Sequence, residues 1–229
     1  TCTALGAEHL RKIAGDASKV DLVYHGLDLT RFPDPPNKAL RAKDSTLNML
    51  SVGRLVEKKG FDRLIAAFAL LPGNLEWHWT HIGGGARKSE MHDQARAVGV
   101  SDRITWRGAC DQPEVIEAMR KSDLFVLPSR IASDGDRDGL PNVLMEAASQ
   151  LLPILSTPIS SIPEFIESRT HGLLSDDTPE DLANAILQIA DNPEQAAKWA
   201  AAAETRLRAE FLMEPGIARL EQRLRNMLT

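Results

Sequence analysis

Two carboxylates, Asp138 and Glu146, stand eight positions apart and enclose the stretch Gly139-Leu140-Pro141-Asn142-Val143. Carboxylates are good acceptors for hydroxyl hydrogens, so this pair suits a ligand rich in hydroxyls, such as a sugar or a ribose. Proline is tolerated in the first helical turn, so Pro141 sets the start of a helix here. The free backbone N–H groups of residues 139–143, the proline excepted, then face the ligand and favour an anion or sugar hydroxyls. A second cluster lies upstream in Gly53-Arg54-Leu55-Val56-Glu57-Lys58-Lys59-Gly60. It is a glycine turn carrying Arg54 and Lys59 into another helix. Arginine offers a planar fork and lysine a mobile point charge, and together they can offset a pyrophosphate. Taken alone, this turn reads more readily as a solvated loop; the acidic stretch downstream reverses that in favour of the clamp.

The elements that hold these residues alternate between strand and helix. The apolar run 124–127 reads as a buried strand, followed by an acidic loop, the helix from Pro141 and a further strand at 154–156. This is a βαβ unit, and open α/β sheets bind ligands beyond the carboxyl ends of their strands. Other strands are expected at 47–52, 77–82, 104–107 and 171–174. Helices are expected at 61–71, 87–98, 112–121, from Ser161, and at 179–190, 193–211 and 215–228. Residues 1–15 read as a few strand residues and then a helix over 8–14, and residues 20–24 as a short strand. The proline-rich run 32–37 reads as a linker.

Several motifs fail on inspection. Gly83-Gly84-Gly85 is not a dinucleotide fingerprint, because the third glycine position is Lys88, nor a Walker loop, because Arg87 precedes that lysine. The glycines instead allow close approach to a ligand or a neighbouring strand. His78 and His81 lie three apart on a strand, point to opposite faces and cannot share a metal. Asp134, Asp136 and Asp138 with Gly139 resemble the start of a calcium loop, but its twelfth position is Met145 and Pro141 interrupts it. A net charge of −5 leaves no basic footprint for a nucleic acid polymer. Hydrophobic content of 43% and charged content of 26% fit a globular protein. Cys2 and Cys110 form no disulfide framework, and a reducing cytoplasm is expected. No stretch reaches membrane-spanning length and no signal peptide is visible.

From Pro128-Ser129 through Asp138-Gly139-Leu140-Pro141-Asn142-Val143-Leu144-Met145-Glu146-Ala147, the sequence resembles the group 1 retaining nucleotide-sugar glycosyltransferases. Their signature is close to PS…EGLPNVLLEAMA. The resemblance extends to His25-Gly26-Leu27-Asp28, to Thr157 through Ile162-Pro163-Glu164, and to His171-Gly172-Leu173-Leu174. It implies an α/β fold, a Rossmann-like parallel sheet flanked by helices, equivalent to the carboxy-terminal domain of the two-domain GT-B architecture. Residues 38–229 would form the donor-binding domain, and residues 1–37 a remnant of the amino-terminal acceptor domain with its linker. The absence of an initiator Met at Thr1-Cys2-Thr3 fits a fragment, which would bind its donor but hardly transfer.

The resemblance also assigns roles. Arg54 and Lys59, beside Gly53, would neutralise the diphosphate and stabilise it as leaving group. Asp138, with the backbone of Gly139, Leu140, Pro141, Asn142 and Val143, would orient the donor sugar. Glu146 would hold the ribose; Arg107, beside the Gly108 turn that in the family lies near the base, would belong to that neighbourhood or read equally as a surface arginine. Glu164 would be a helix-start charge favourable to the dipole. No cofactor and no divalent metal are implied. The partners would be a nucleotide-sugar donor and a saccharide or glycolipid acceptor, the latter held mainly by the missing domain, as would be any peripheral attachment at the inner face of the membrane. Two positions depart from the family: Asp138 replaces a Glu, and Leu151 replaces a Gly and would fill space on the nucleotide side of the cleft. Two other functions share Arg54, Lys59 and Glu146, namely a nucleotide-sugar epimerase of the same architecture and a nucleotide-binding module without turnover. Asp138 and Asn142, which face the sugar in the transferases, discriminate among them.

Overall fold

The computed structural model describes the backbone of residues 1–228 and the side chains of residues 1–226. Its centre is a sheet of six strands: β1 (Leu47–Val52), β2 (Trp77–Ile82), β3 (Ile104–Gly108), β4 (Leu124–Leu127), β5 (Ile154–Ser156) and β6 (Leu173–Leu174). All neighbouring pairs are parallel, in the order β3-β2-β1-β4-β5-β6. The order reverses direction between β1 and β4, and a ligand crevice forms at such a switch point, beyond the carboxyl ends of the strands.

The helices are α1 (Ala4–Ile13), α2 (Phe61–Phe68), α3 (Lys88–Ala97), α4 (Gln112–Lys121), α5 (Asn142–Ser149), α6 (Ile162–Phe165), α7 (Pro179–Asp191), α8 (Pro193–Glu210) and α9 (Met213–Leu228). Helices covering both faces explain why β4 is uniformly apolar, with all four of its residues at 0% exposure. Burying each such side chain is worth about 1.5–3 kcal/mol. Buried hydroxyls tie the strands at the switch point: Ser51 Oγ donates to Val126 O at 2.6 Å, and Trp79 Nε1 donates to Ser51 Oγ at 2.9 Å. Ser156 Oγ donates to Leu127 O at 2.7 Å, and Thr157 Oγ1 donates to Ser129 O. Among the described residues, no helix is long and apolar enough to cross a membrane.

The expected elements differ from the observed ones mainly near the amino terminus. The helix there begins at Ala4, not near residue 8, because Thr3 caps it through Gly6 N–H at 3.1 Å, and no strand precedes it. Residues 20–24 do not form a strand. They have no neighbouring strand to pair with among the described residues, and their contacts are single ones, such as Val23 N–H to Thr1 O at 2.9 Å. The following turn docks instead on the α8–α9 junction, where Leu27 N–H donates to Phe211 O at 2.8 Å. Gly26 makes this approach possible: its φ is +53°, and a Cβ there would lie 2.4 Å from Leu212 O. α2 ends at Phe68 rather than near residue 71, because the chain tightens into three-residue turns ahead of Pro72.

Glu164 does more than begin its own helix. Its carboxylate accepts Ala4 N–H at 2.6 Å and Leu5 N–H at 3.0 Å, so it caps α1 across the molecule. The histidines divide as their spacing requires. His78 reaches Thr105 Oγ1 at 2.8 Å, whereas His81 is wholly buried between Phe61 and Trp106. Burial pushes the His81 ring down from 6.5 to about 4.

Candidate functional site

The crevice is built from the loop after β1 and the loop after β4, at the carboxyl ends of adjacent parallel strands. After β1, Gly53 N–H bonds Ile82 O at 2.9 Å and Leu55 N–H bonds Gly84 O at 2.8 Å, so the first two loops run side by side. Two of the three glycines therefore serve a neighbouring strand's loop: Cβ atoms at Gly83 and Gly85 would lie 2.0 Å from Gly53 O and 2.4 Å from Leu55 O, whereas Gly84 is open on that side. The turn continues as a short 3₁₀ helix (Glu57–Lys59) and closes on Gly60. Gly60 has φ +67°, and a Cβ there would sit 1.9 Å from Pro128 O, so only glycine lets this turn press against the end of β4.

That contact brings the predicted residues together. Lys59 Nζ lies 2.8 Å from Asp138 Oδ2, and its stem rests against Gly53, where a Cβ would be 3.5 Å from Lys59 Cε. Ser129 Oγ donates to the same Asp138 oxygen at 2.9 Å. Arg54, on the same turn, is exposed and without a hydrogen-bond or ion-pair partner among the described residues, and its charge acts weakly on Asp136. Gly139 is open on its Cβ side and Leu140 is buried.

Pro141 does not open the helix as its first helical residue. It holds φ −68° and ψ +123° and precedes α5, which begins at Asn142. Proline at this boundary keeps ψ extended while its carbonyl accepts Leu144 N–H at 3.1 Å. No side chain caps α5, so the N–H groups of Asn142 and Val143 face the crevice uncapped. Asn142 and Glu146 are four apart and share a face of α5. The Glu146 carboxylate is half-buried and makes no hydrogen bond or ion pair among the described residues. Burial raises it above its ordinary value, against a smaller opposing pull from Arg31. A half-buried, unpartnered acceptor on a helix with an uncapped start is suited to hydroxyl donors, and the helix start to an anion.

Arg107, at the end of β3, pairs with Glu114, with Nη2 at 2.8 Å from Oε1. Leu151 is not on the nucleotide side of the crevice. It follows the carboxyl end of α5 and lines a groove with Leu47, Asp123 and Pro153, at the amino ends of β1, β4 and β5. Its φ is +54°, the conformation a glycine adopts freely.

Sequence reasoning gave no role to three residues of this region. Ser129 was legible only as part of the motif. Arg31 donates to Gln112 Oε1 at 2.7 Å and is the charge that acts on Glu146. Lys58 pairs with Asp136 at 3.0 Å and approaches Asp138 at 3.8 Å. Its ammonium holds the Asp136 carboxyl below the usual range through that hydrogen bond. Asp136 and Asp138, two of the acids of the calcium-like run, are thus both paired with lysines.

Residues 36–206 match the family of glycosyl transferases group 1. A similar curated protein is the putative colanic acid biosynthesis glycosyltransferase WcaL of Escherichia coli, 32% identical over 185 residues, which cover 80% of this chain and 44% of that protein. The chain therefore spans less than half the length of that relative. Among solved structures, sucrose-phosphate synthase from Thermosynechococcus elongatus superposes with a TM-score of 0.84 at 22% identity, over 100% of this chain and 57% of that one. The Anabaena protein HepE, solved with UDP and glucose, gives 0.81 at 18% identity, over 98% of this chain and 62% of that one. Both share the fold, and the family match spans the basic turn, the acidic motif and α5 alike. The chain belongs to the group 1 glycosyltransferases.

Proposed function

We propose that this chain is the donor-binding half of a retaining glycosyltransferase that moves a sugar from a nucleoside-diphosphate carrier to a saccharide or lipid-linked acceptor. The observation that carries this reading is the convergence, at the switch point of the sheet, of Arg54, Lys59, Asp138 and the uncapped start of α5, with Glu146 on that helix. The cations suit the diphosphate, Asp138 and Asn142 suit the sugar, and Glu146 suits the ribose. In transfer, the bond between the anomeric carbon and the β-phosphate oxygen breaks, the acceptor hydroxyl oxygen forms the new bond on the same face, and its proton passes to the departing diphosphate oxygen. Arg54 and Lys59 stabilise the charge that gathers on the departing diphosphate, an electrostatic task that needs no metal. Residues 38–229 form the donor domain, and the acceptor is bound mainly outside these 229 residues. The solved relative with UDP and glucose supports the donor class, and the relative in colanic acid biosynthesis supports a saccharide acceptor.

The test is a ³¹P NMR titration of UDP-glucose and GDP-mannose with the chain. Their diphosphate resonances shift and broaden with the wild-type chain and much less with Arg54→Ala. Resonances that do not respond to the wild-type chain would overturn the reading.

A further inference from the structure

The basic turn carries two adjacent lysines, and they are anchored differently. Successive residues of a 3₁₀ turn diverge by about 120°, so Lys58 and Lys59 reach the acidic loop from different sides. Lys59 Nζ meets Asp138 Oδ2 at 2.8 Å, the oxygen that Ser129 Oγ also bonds. Lys58 Nζ faces the other oxygen, Oδ1, at 3.8 Å, and pairs with Asp136 Oδ1 at 3.0 Å. The Lys58 carbonyl accepts Arg130 N–H at 2.8 Å, which fixes its backbone to the loop after β4. The side chains of Lys58, Lys59 and Asp138 are only 15%, 13% and 11% exposed.

This arrangement creates a competition. The ammonium that a diphosphate requires is already bound to the carboxylate that the sugar requires. When Lys59 turns to the diphosphate, an almost buried Asp138 loses its nearest counter-charge, and an unpaired buried carboxylate is strongly disfavoured. We propose that Lys58 is a positioning residue of the donor site, which stays on Asp138 when Lys59 leaves it and keeps that carboxylate paired and aimed at the sugar. This inference rests on the nucleotide-sugar reading above. Lys58 is suited to remain because Asp136 and Arg130 hold it on the loop, whereas Lys59 has only Asp138 to release. Asp138, shorter than the Glu of the family signature, then works as one member of a group with Lys58 and Ser129.

The test is a double-mutant cycle on nucleoside diphosphate affinity, with UDP, GDP and ADP as probes at low salt. Asp138→Asn frees Lys59 and binds the preferred diphosphate several-fold more tightly. Lys58→Ala in the wild-type background weakens it by about tenfold, because release of Lys59 now strands Asp138. In the Asp138→Asn background the same change costs less than about twofold, and Lys58→Arg restores most of the affinity. Thermal melts of each variant confirm folding, and Lys58→Gln, which keeps the stem, repeats the cycle if Lys58→Ala does not melt cooperatively. Equal losses in both backgrounds would mean that Lys58 binds the phosphates itself or acts only through folding, and would overturn the inference alone. No affinity of the wild-type chain for any of the three probes would overturn the nucleotide-sugar reading, and the role of Lys58 with it.

Discussion

Glu146→Gln separates stability from binding because the two should move in opposite directions. The wild-type carboxylate is half-buried, pushed upward by burial, and has only the weaker influence of Arg31 to oppose this. A buried polar group left without a partner costs about 1–3 kcal/mol, and partial exposure places Glu146 at the low end, about 1 kcal/mol. Glutamine has the same shape and no charge, so it removes the part of the cost that comes from burying a charge, at most about 1 kcal/mol, which for a chain of this size is up to about 2–4 °C in Tm. The pH sign follows from the raised value. The folded state holds the proton more tightly than the unfolded state, so wild-type stability falls as pH rises from 4.5 through the folded value. The advantage of Gln is therefore complete at neutral pH and fades as pH falls toward 4.5. Binding responds the other way. Hydrogen bonds to a charged acceptor exceed neutral ones by about 1 kcal/mol, so two ribose hydroxyls lose about 2 kcal/mol, or about 30-fold in affinity. Thermal denaturation at pH 7 and 4.5, with calorimetric titration of nucleoside diphosphate, reads both. A variant that melts lower than wild type and keeps its affinity would refute the assignment of Glu146.

Three further outcomes follow from local geometry. Gly60→Ala places a methyl 1.9 Å from Pro128 O at φ +67°, and is expected to cost about 2 kcal/mol and about 5 °C in Tm, read by thermal denaturation. Leu151→Gly trades relief of a left-handed leucine against glycine entropy, so stability changes by less than about 1 kcal/mol. Because Leu151 lies at the far end of the sheet, its loss leaves nucleotide affinity within about twofold, and a larger change would return it to the crevice. His81, held near 4 against an ordinary 6.5, favours a neutral folded state, so its contribution is lost as pH falls between those values, by up to about 3 kcal/mol. Urea denaturation of His81→Leu should lack that part of the acid sensitivity, and an unchanged pH profile would exclude it.

The sheet and its helices were legible because burial on both faces of a parallel strand leaves an uninterrupted apolar run, as in Leu124–Leu127, with helix starts marked by Pro141, Pro179 and Pro193. The apolar run 20–24 carries the same local signal and forms no strand, because pairing is a property of the neighbour and not of the segment. Within the site, the types and spacing of Arg54, Lys59, Asp138 and Glu146 pointed to one crevice, and the folded loops bring Lys59 onto Asp138, with Arg54 on the same turn. What the sequence could not give was which charge meets which. Lys58 and Lys59 are the same residue type in adjacent positions, and only the 3₁₀ turn and the contact of Gly60 with Pro128 separate their partners. Leu151 was placed on the wrong side of the sheet because a family departure shows that a residue is unusual and not where its side chain goes. The cap that Glu164 gives α1 spans 160 positions, beyond the reach of any local pattern.

The central claim is that the crevice between the β1 and β4 loops binds a nucleoside diphosphate through its own side chains. Calorimetric titration of the chain with UDP, GDP, ADP and NAD, each with and without calcium, tests it most directly. Saturable binding of one nucleoside diphosphate is expected, indifferent to calcium and weakened by about tenfold in Arg54→Ala. Binding that requires calcium, binding that Arg54→Ala leaves intact, or no binding of any nucleoside diphosphate would contradict it.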